Sequence, residues 1–318
     1  MQYIIVISFE CYYYYYIRNS ETFDVILIIK APDYVTTLDL ITMLLINEYK
    51  FEITSTVAIM FIIIMYTSSH AFRYFAKYTI FTVLSYISAT VFLPLMLWKP
   101  RDYKNGLLPA WGGRQVSKVL GITWEMKGKE NIVQNSGCVV LINHQSCLDL
   151  LVLSEIYPVM EKCTVISKKE IFYFWPFGLA SWLWGTIFID RLNAESAQRT
   201  LNKTGDAIRH KQAKICMFPE GTRHGGPELL NFKKGAFHVA ISAQCPIQPV
   251  VVSQYFFLDH GKRTFDPGHA VITILPPIPT EGMTKEDLPG LIEKSRTAMQ
   301  EMYTKSSAEV KTKHYSVS

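Results

Sequence analysis

The fold class follows from residues 137–151, which read GCVVLINHQSCLDLL. The apolar run Val139–Ile142 has the length and composition of a buried strand. The next helix begins at Ser146 or Asp149, since serine and aspartate are typical of helix starts. His144 therefore lies in a strand-to-helix turn, the position at which α/β proteins place functional side chains.

Short β-rich runs and helical stretches alternate from this turn to the C-terminus. The predicted strands are residues 137–142, 164–166, 185–189, 214–218, 247–253 and 270–275, and the predicted helices are residues 149–157, 177–184, 194–210, 235–243 and 285–305. Such alternation favours an α/β domain with a mixed, largely parallel sheet flanked by helices. We expect this domain to occupy residues 105–318.

Upstream of this domain, two apolar segments have the character of membrane helices. Residues 54–66 are intensely apolar, and residues 79–98 carry no charge and end at Trp98, just before a basic stretch. A tryptophan with a basic flank is typical of a membrane boundary. We therefore expect residues 51–104 to form a membrane anchor, an N-terminal transmembrane helical hairpin with a short basic link at residues 68–77. A pair of buried core helices is the alternative.

Residues 1–50 combine a tyrosine run at residues 12–16 with apolar patches that are too short to span a bilayer. We assign no function to this N-terminal extension. A poorly ordered tail is one alternative, and an extension from an upstream start, with Met43 or Met60 as later starts, is the other.

The composition limits the classes of protein that fit. Charged residues make up 19% of the chain, the formal net charge is +5 and the mean hydropathy is +0.13. This balance indicates that part of the chain lies in lipid, and the clustered basic runs expected of a nucleic-acid-binding protein are absent from the sequence. The six cysteines lack metal-ligand or regular spacing. We therefore expect free thiols, no bound metal and no tightly bound cofactor.

His144 and Asp149 are the candidate acid–base pair. A carboxylate at Asp149 can accept a hydrogen bond from one imidazole nitrogen of His144, which fixes the tautomer and leaves the other nitrogen as a base. Such a base suits acyl transfer from a thioester to an alcohol, because the hydroxyl must lose its proton as it attacks. The alternative for Asp149 is structural, since a carboxylate also stabilises a helix start through the helix dipole.

Three further blocks follow this one along the chain. They read GTIFIDR at residues 185–191, FPEGTR at residues 218–223 and PIQPV at residues 246–250. With the NHQSCLD block at residues 143–149, their content and order resemble the glycerolipid acyltransferase family, which includes the lysophosphatidic acid acyltransferases. The resemblance covers about residues 70–305. It departs from the family pattern at His224, Cys245 and Gln248, and none of these departures removes a chemical group from the expected site.

The resemblance implies roles for residues of the four blocks and for Lys169, which lies between the first two blocks. His144 would be the general base and Asp149 its orienting partner. The implied substrate-binding residues are Arg223, Gly221, Thr222, Glu220, Arg191 and Lys169, and the residues that support the motifs are Asn143, Gln145, Ser146, Pro219 and Pro246.

The phosphate of a lysophosphatidate explains the choice of residue types in these blocks. The planar fork of Arg223 or Arg191 can meet two phosphate oxygens at once, although either could instead be a surface arginine paired with Glu220 or Asp190. Lys169 could contact phosphate or a developing oxyanion, or belong to a solvated charge cluster.

The implied reaction moves an acyl group from acyl-CoA, a co-substrate, to the sn-2 hydroxyl of lysophosphatidic acid and yields phosphatidic acid. The implied location is the endoplasmic reticulum membrane, with the catalytic domain facing the cytosol. Glycerol-3-phosphate or another lysophospholipid as acceptor is one alternative, and a catalytically inactive membrane adaptor is another. The aromatic run at residues 171–175 is open between core packing and contact with the membrane interface.

Overall fold

The computed structural model describes residues 3–9, 12–19, 22–30, 37–190 and 194–317. The chain forms two compact units, residues 1–68 and residues 69–318. The first unit contains the strands β1 (Tyr3–Phe9), β2 (Tyr12–Asn19) and β3 (Thr22–Lys30) and the helix α1 (Thr37–Ser68). The three strands form an antiparallel sheet with β2 in the centre, so that the tyrosine run lies on the middle strand.

The second unit contains the remaining elements. In chain order these are α2 (His70–Thr90), α3 (Leu93–Met96), α4 (Leu107–Leu120), β4 (Ile122–Lys127), β5 (Cys138–Ile142), α5 (Asp149–Met160), β6 (Cys163–Lys168), α6 (Phe177–Leu183), β7 (Ile187–Ile189), α7 (Ala194–Lys211), β8 (Lys214–Met217), α8 (Gly235–Ala243), β9 (Ile247–Val252), β10 (Leu258–Asp259), β11 (Thr264–Phe265), β12 (Gly268–Ile274) and α9 (Leu288–Val317). Single turns of 3-10 helix lie at Tyr103–Gly106, Lys129–Asn131, Lys169–Tyr173 and Lys285–Asp287.

Seven of these strands form one mixed sheet in the order β4-β12-β9-β5-β8-β6-β7. Strands β9 and β12 pair antiparallel, and the other neighbouring strands pair parallel. Strand β5 lies at the centre and is fully buried along its length. The prediction of an α/β fold with a largely parallel sheet flanked by helices is therefore confirmed.

Helices cover both faces of this sheet, because successive side chains of a strand point to opposite sides. Val140 and Ile142 of β5 pack into one apolar core with residues of α2, α4 and α5. Val139 and Leu141 of the same strand pack into a second core with residues of α7, α8 and α9. The turn after β5 lies at the carboxyl end of the parallel strands, where open α/β sheets bind their ligands.

Neither α4 nor β4 is among the elements predicted from the sequence. Pro109, Gly112 and Gly113 lower the intrinsic helix propensity of α4. Close packing explains why the helix forms there: a Cβ atom at Gly112 would collide with Ser88 of α2, and one at Gly113 with Ser154 of α5. The helix ends at Gly121, whose φ of 75° favours glycine.

Two helical segments are long and apolar enough to cross a membrane, Leu45–Ser68 and His70–Met96. In the first segment, none of the most apolar stretch is buried. In the second segment, 17% of the most apolar stretch is buried. The second segment is interrupted near Pro94, since α2 ends at Thr90 and Pro94 lies in the first turn of α3.

The expected basic link at residues 68–77 is wrong, because His70 begins α2 and Lys77 lies within that helix. Lys77 is 5% exposed and donates a hydrogen bond to the carbonyl of Leu120 at 3.1 Å. Its ammonium group also lies 4.9 Å from the ring centroid of Phe265. A cation held in this way belongs to the packing of α2 against α4 and β11, not to a solvated loop.

Candidate active site

The turn that follows β5 is fastened to β9 by two amide side chains. Asn143 accepts a hydrogen bond from the backbone nitrogen of Val252 at 2.8 Å and donates one to its carbonyl at 3.0 Å. Gln145 donates to the carbonyl of Ser253 at 2.9 Å and accepts from the backbone nitrogen of Tyr255 at 3.2 Å. Both amides are buried. The turn therefore has a fixed conformation, because buried amides of this kind are costly to unpair.

Asp149 receives four hydrogen bonds from this turn and its surroundings. Its Oδ2 atom accepts from Nδ1 of His144 at 2.7 Å and from the backbone nitrogens of Gln145 and Ser146 at 2.8 and 3.1 Å. Its Oδ1 atom accepts from the hydroxyl of Tyr255 at 2.7 Å. Asp149 is 2% exposed, so these donors compensate for the loss of water around the carboxylate.

His144 is held by its backbone and by its ring. The backbone nitrogen donates to Oε1 of Glu220 at 2.8 Å, and the carbonyl accepts from the backbone nitrogen of His224 at 2.8 Å. The ring stacks on Phe218, with centroids 4.1 Å apart and an interplanar angle of 26°. Because Nδ1 is engaged by Asp149, Nε2 is the ring nitrogen that can take a proton from a substrate.

Tyr255 is a site residue that the sequence did not indicate. It is 5% exposed, and burial together with the charge of Asp149 raises the pKa of its hydroxyl well above the usual 10.0. The hydroxyl therefore stays protonated and acts as a donor to Asp149. Tyr255 lies 106 positions after Asp149, and no local pattern could have linked the two residues.

Glu220 joins the FPEGTR block to the turn. Its Oε2 atom accepts a hydrogen bond from the backbone nitrogen of Leu230 at 3.0 Å, while Oε1 accepts from His144. Burial raises the pKa of this carboxyl, and the two backbone donors oppose that shift. Glu220 is 1% exposed. It therefore positions the loop that carries Arg223 and does not form the arginine pair that the sequence left open.

A cavity of about 470 Å³ adjoins His144. This volume lies within the range of about 300–1,000 Å³ that is usual for ligand pockets. Both Gly221 and Arg223 line it together with His144 and Asp149. Its apolar lining comes from α2, α4, α5, β6 and α6 and from residues next to these elements and to β8. The apolar lining residues include Ala89, Pro109, Ala110, Leu150, Leu151, Leu153, Val165, Ile166, Ile171, Phe177, Trp184 and Phe218. The lining of the cavity is therefore mostly apolar and includes the ionisable side chains of His144, Asp149, Lys168 and Arg223.

Other predicted site residues lie farther from this cavity. Lys169 is half exposed and its ammonium lies 3.6 Å from Asp190, whereas the neighbouring Lys168 lines the cavity. Thr222 is exposed, and Pro219 is buried with its carbonyl accepting from Lys233. None of these contacts assigns a ligand.

Two further predictions concern Pro246 and Arg191. Pro246 precedes β9, and its carbonyl accepts from Val139 at the start of β5, which is the end of the sheet opposite the turn. The fourth block thus builds the sheet and not the cavity. Arg191 lies outside the described residues, as do residues 192 and 193.

The family model described as Acyltransferase matches residues 123–253, which contain the turn after β5 and the FPEGTR block. Over these residues the chain is thus similar to the acyltransferases. The 1-acyl-sn-glycerol-3-phosphate acyltransferase beta of Homo sapiens is 33% identical over 245 residues, which cover 76% of this chain and 87% of the relative. The alpha enzyme of Homo sapiens is 34% identical over 228 residues, which cover 71% and 80%.

These identities and coverages show that the chain belongs to the 1-acyl-sn-glycerol-3-phosphate acyltransferase family, a family of enzymes. The resemblance drawn from the four blocks is confirmed. The fold is also similar to that of a solved structure, the 1-acyl-sn-glycerophosphate acyltransferase PlsC from Thermotoga maritima. That structure matches with a TM-score of 0.58 and 22% identity and covers 76% of this chain and 98% of its own.

Proposed function

We propose that this protein transfers an acyl group from acyl-CoA to the sn-2 hydroxyl of lysophosphatidic acid and so produces phosphatidic acid. The relatives in Homo sapiens are named for 1-acyl-sn-glycerol-3-phosphate, which supports this acceptor. The observation that carries the proposal is the position of His144. Its Nδ1 atom is held by the buried Asp149, and its ring lines a cavity with an apolar wall.

The proposed reaction begins with proton removal. Nε2 of His144 takes the proton of the sn-2 hydroxyl as the hydroxyl oxygen attacks the thioester carbonyl. Asp149 stabilises the imidazolium that forms. When the tetrahedral intermediate collapses, the carbon–sulfur bond breaks, and the leaving thiolate of CoA takes the proton from the imidazolium. An acyl-CoA thioester is already activated, so that no serine or cysteine nucleophile is needed.

We assign the phosphate of the acceptor to Arg223 and the acyl chain to the apolar lining of the cavity. Arg223 lines it near His144 and can meet two phosphate oxygens of the acceptor with its guanidinium fork. Arg191, Thr222, Gly221 and Lys169 are carried as further candidates for the phosphate from the resemblance alone. The apolar wall provides a surface on which an acyl chain can leave the bilayer at low cost.

The proposed setting is the membrane of the endoplasmic reticulum. The segment Leu45–Ser68 and the exposed side of His70–Met96 would anchor the chain, while the other side of α2 packs into the core. The second unit, residues 69–318, is the catalytic unit and would face the cytosol, where acyl-CoA is expected. Digestion of sealed microsomes with protease tests the orientation. An epitope placed after Ser318 should be removed without detergent, and a protected epitope would contradict the cytosolic placement.

The activity is tested by offering the purified full chain a matrix of acyl-CoA donors and acceptors. We expect lysophosphatidic acid to be converted with the highest kcat/KM and the new acyl group to be released by a phospholipase specific for the sn-2 position. An equal or higher kcat/KM for glycerol-3-phosphate or for lysophosphatidylcholine would contradict the proposed acceptor. Failure to acylate any acceptor would contradict the activity itself.

A further inference from the structure

The loop that leads into α8 lies against the FPEGTR block. The backbone nitrogen of Lys233 donates a hydrogen bond to the carbonyl of Pro219 at 2.7 Å. Gly221 has a φ of 73°, and a Cβ atom placed on it would lie 3.3 Å from Cγ and 3.9 Å from Cε of Lys233. The side chain of Lys233 therefore runs along Gly221. Its ammonium group, one bond beyond Cε, lies beside this glycine.

This loop is fixed by contacts on the side that precedes Lys233. The backbone nitrogen of Leu230 donates to Oε2 of Glu220 at 3.0 Å. The ring of Phe232 is 7% exposed and stacks on Phe237 of α8, with centroids 6.2 Å apart. Lys233 follows Phe232 directly, so that its position beside Gly221 is determined by the fold.

The loop therefore adds a second cation to the one already at the edge of the cavity. Gly221 and Arg223 line the cavity together with His144. The side chains of Arg223 and Lys233 are both exposed. Among the residues that the structure describes, neither side chain forms an ion pair with a carboxylate. Two cations without acidic partners on either side of one glycine form a place that an anion can neutralise.

The charge of a phosphate monoester explains why two cations would be needed. Such a group carries a charge of about −1.5 to −2 at pH 7, and one guanidinium neutralises only part of it. Lys169, which the family resemblance implies, is already paired with Asp190 at 3.6 Å. Lys168 lines the cavity from the end of β6, whereas Lys233 lies along the glycine of the block that contains Arg223.

We propose that Lys233 is a second phosphate-binding residue, which binds the monoester dianion of the acceptor together with Arg223. The arginine supplies a planar fork, and the lysine supplies a compact point charge. A phosphodiester headgroup carries one negative charge, which Arg223 alone can balance. Lys233 would therefore select acceptors with a phosphate monoester. This inference rests on the proposed function and names a further residue of the same site.

Kinetics with two matched lipids test this selection. The lipids are lysophosphatidic acid and its phosphate methyl ester, a diester with one negative charge. In the full chain, Lys233→Gln should raise KM for lysophosphatidic acid about tenfold and leave kcat within about twofold, because a contact with bound substrate is lost. The Ki of the methyl ester as a competitive inhibitor should rise by about threefold or less.

Two variants serve as controls for charge and for structure. Lys234→Gln removes the same charge from the next position, which is also exposed, and should change KM for lysophosphatidic acid by less than about twofold. Lys233→Arg keeps the charge and should stay within about threefold of the wild type. Equal increases of KM in both glutamine variants, equal weakening of both lipids, or an increase of KM for acyl-CoA instead would overturn the proposal.

Lysine footprinting tests the contact without turnover. The full wild-type chain in detergent micelles is acetylated with an N-hydroxysuccinimide ester in the absence of acyl-CoA, and the rate at each lysine is read from peptide masses. Saturating lysophosphatidic acid should slow the modification of Lys233 at least about fivefold. Lys234 should react at an unchanged rate, and lysophosphatidylcholine of the same chain length should protect neither. Equal protection of both lysines by both lipids, or none, would overturn the proposal.

These experiments separate the residue from the reaction. If the wild type acylates no acceptor while lysophosphatidic acid still protects Lys233, the proposed function is wrong and the phosphate site stands. If the enzyme acylates lysophosphatidic acid while Lys233 is not protected and Lys233→Gln leaves KM unchanged, the proposed function stands and the role of Lys233 is wrong.

Discussion

Two segments meet at the same cavity and are built in opposite ways. The turn His144–Asp149 is largely buried, and the hydrogen bonds that Asp149 accepts are 2.7 to 3.1 Å long. The aromatic segment Ile171–Trp175 is exposed and makes mostly ring contacts. Proton transfer requires a base that is fixed to within tenths of an ångström, whereas contact with lipid requires apolar area and little directional precision. The turn meets the first of these requirements, and the aromatic segment has the exposed apolar area that the second one needs.

The largest effect is expected in the turn. His144→Ala removes the proposed base and should lower kcat by about 10²–10⁴-fold, the usual range for a general base. Since Asn143, Gln145 and Asp149 still hold the turn, circular dichroism and thermal unfolding should remain close to wild type. Full acyl transfer by a folded His144→Ala enzyme would show that the turn is structural and would remove the proposed contrast with the aromatic segment.

Substitutions of Arg223 test whether this side chain binds the phosphate of the acceptor. Arg223→Ala should raise KM for lysophosphatidic acid about tenfold to a hundredfold, because a charge-assisted pair with phosphate is lost. Arg223→Lys should recover part of this, since lysine keeps the charge without the planar fork. An acceptor without phosphate, compared in the same assay, should respond much less. An equal loss on both acceptors would assign Arg223 to the structure of the loop.

The variant Tyr255→Phe tests the role of the buried hydrogen bond between Tyr255 and Asp149. The change leaves Oδ1 without its hydroxyl donor, so that the carboxylate is held less firmly against the imidazole. We expect kcat to fall about threefold to tenfold and KM for lysophosphatidic acid to change by less than about twofold. A merely structural role would lower the melting temperature and leave kcat in place. The readouts are kcat and KM and a thermal unfolding curve.

The smallest effects on KM are expected for two neighbouring lysines, which should differ from each other. Lys168 lines the cavity, whereas Lys169 is half exposed and paired with Asp190. Lys168→Ala should raise KM for a substrate severalfold, and Lys169→Ala should change it by less than about twofold, as is usual for an exposed ion pair. The reverse order would restore Lys169 as the substrate contact that the family resemblance implies.

The strands and helices that were predicted from the sequence carry a clear apolar pattern. Strand β5, for example, is a continuous run of buried residues. Helix α4 lacks that signal, because its glycines serve contacts with Ser88 and Ser154 that only the folded chain brings together. The His144–Asp149 pair lies within one turn and could be predicted from spacing. Tyr255 could not, because its contact with Asp149 depends on how β9 is placed beside β5.

A polar side chain is a poor marker of exposure in this protein, as two positions show. Lys77 is buried because its ammonium finds the carbonyl of Leu120 and the ring of Phe265. Gln248, an unusual residue within the fourth block, is fully buried because its amide bonds the backbone of Val133 and of Leu275. In both cases a polar partner that is distant in sequence determines the burial.

The packing of helix α2 limits where the chain can be truncated. Its residues Phe81 and Ala89 are buried in the catalytic unit, and Lys77 joins it to the end of α4. A truncation that begins at residue 69 keeps the whole unit, whereas one that begins at residue 105 deletes part of its interior. The helix that would be discarded to obtain a water-soluble enzyme is therefore one whose buried side belongs to the enzyme's own core.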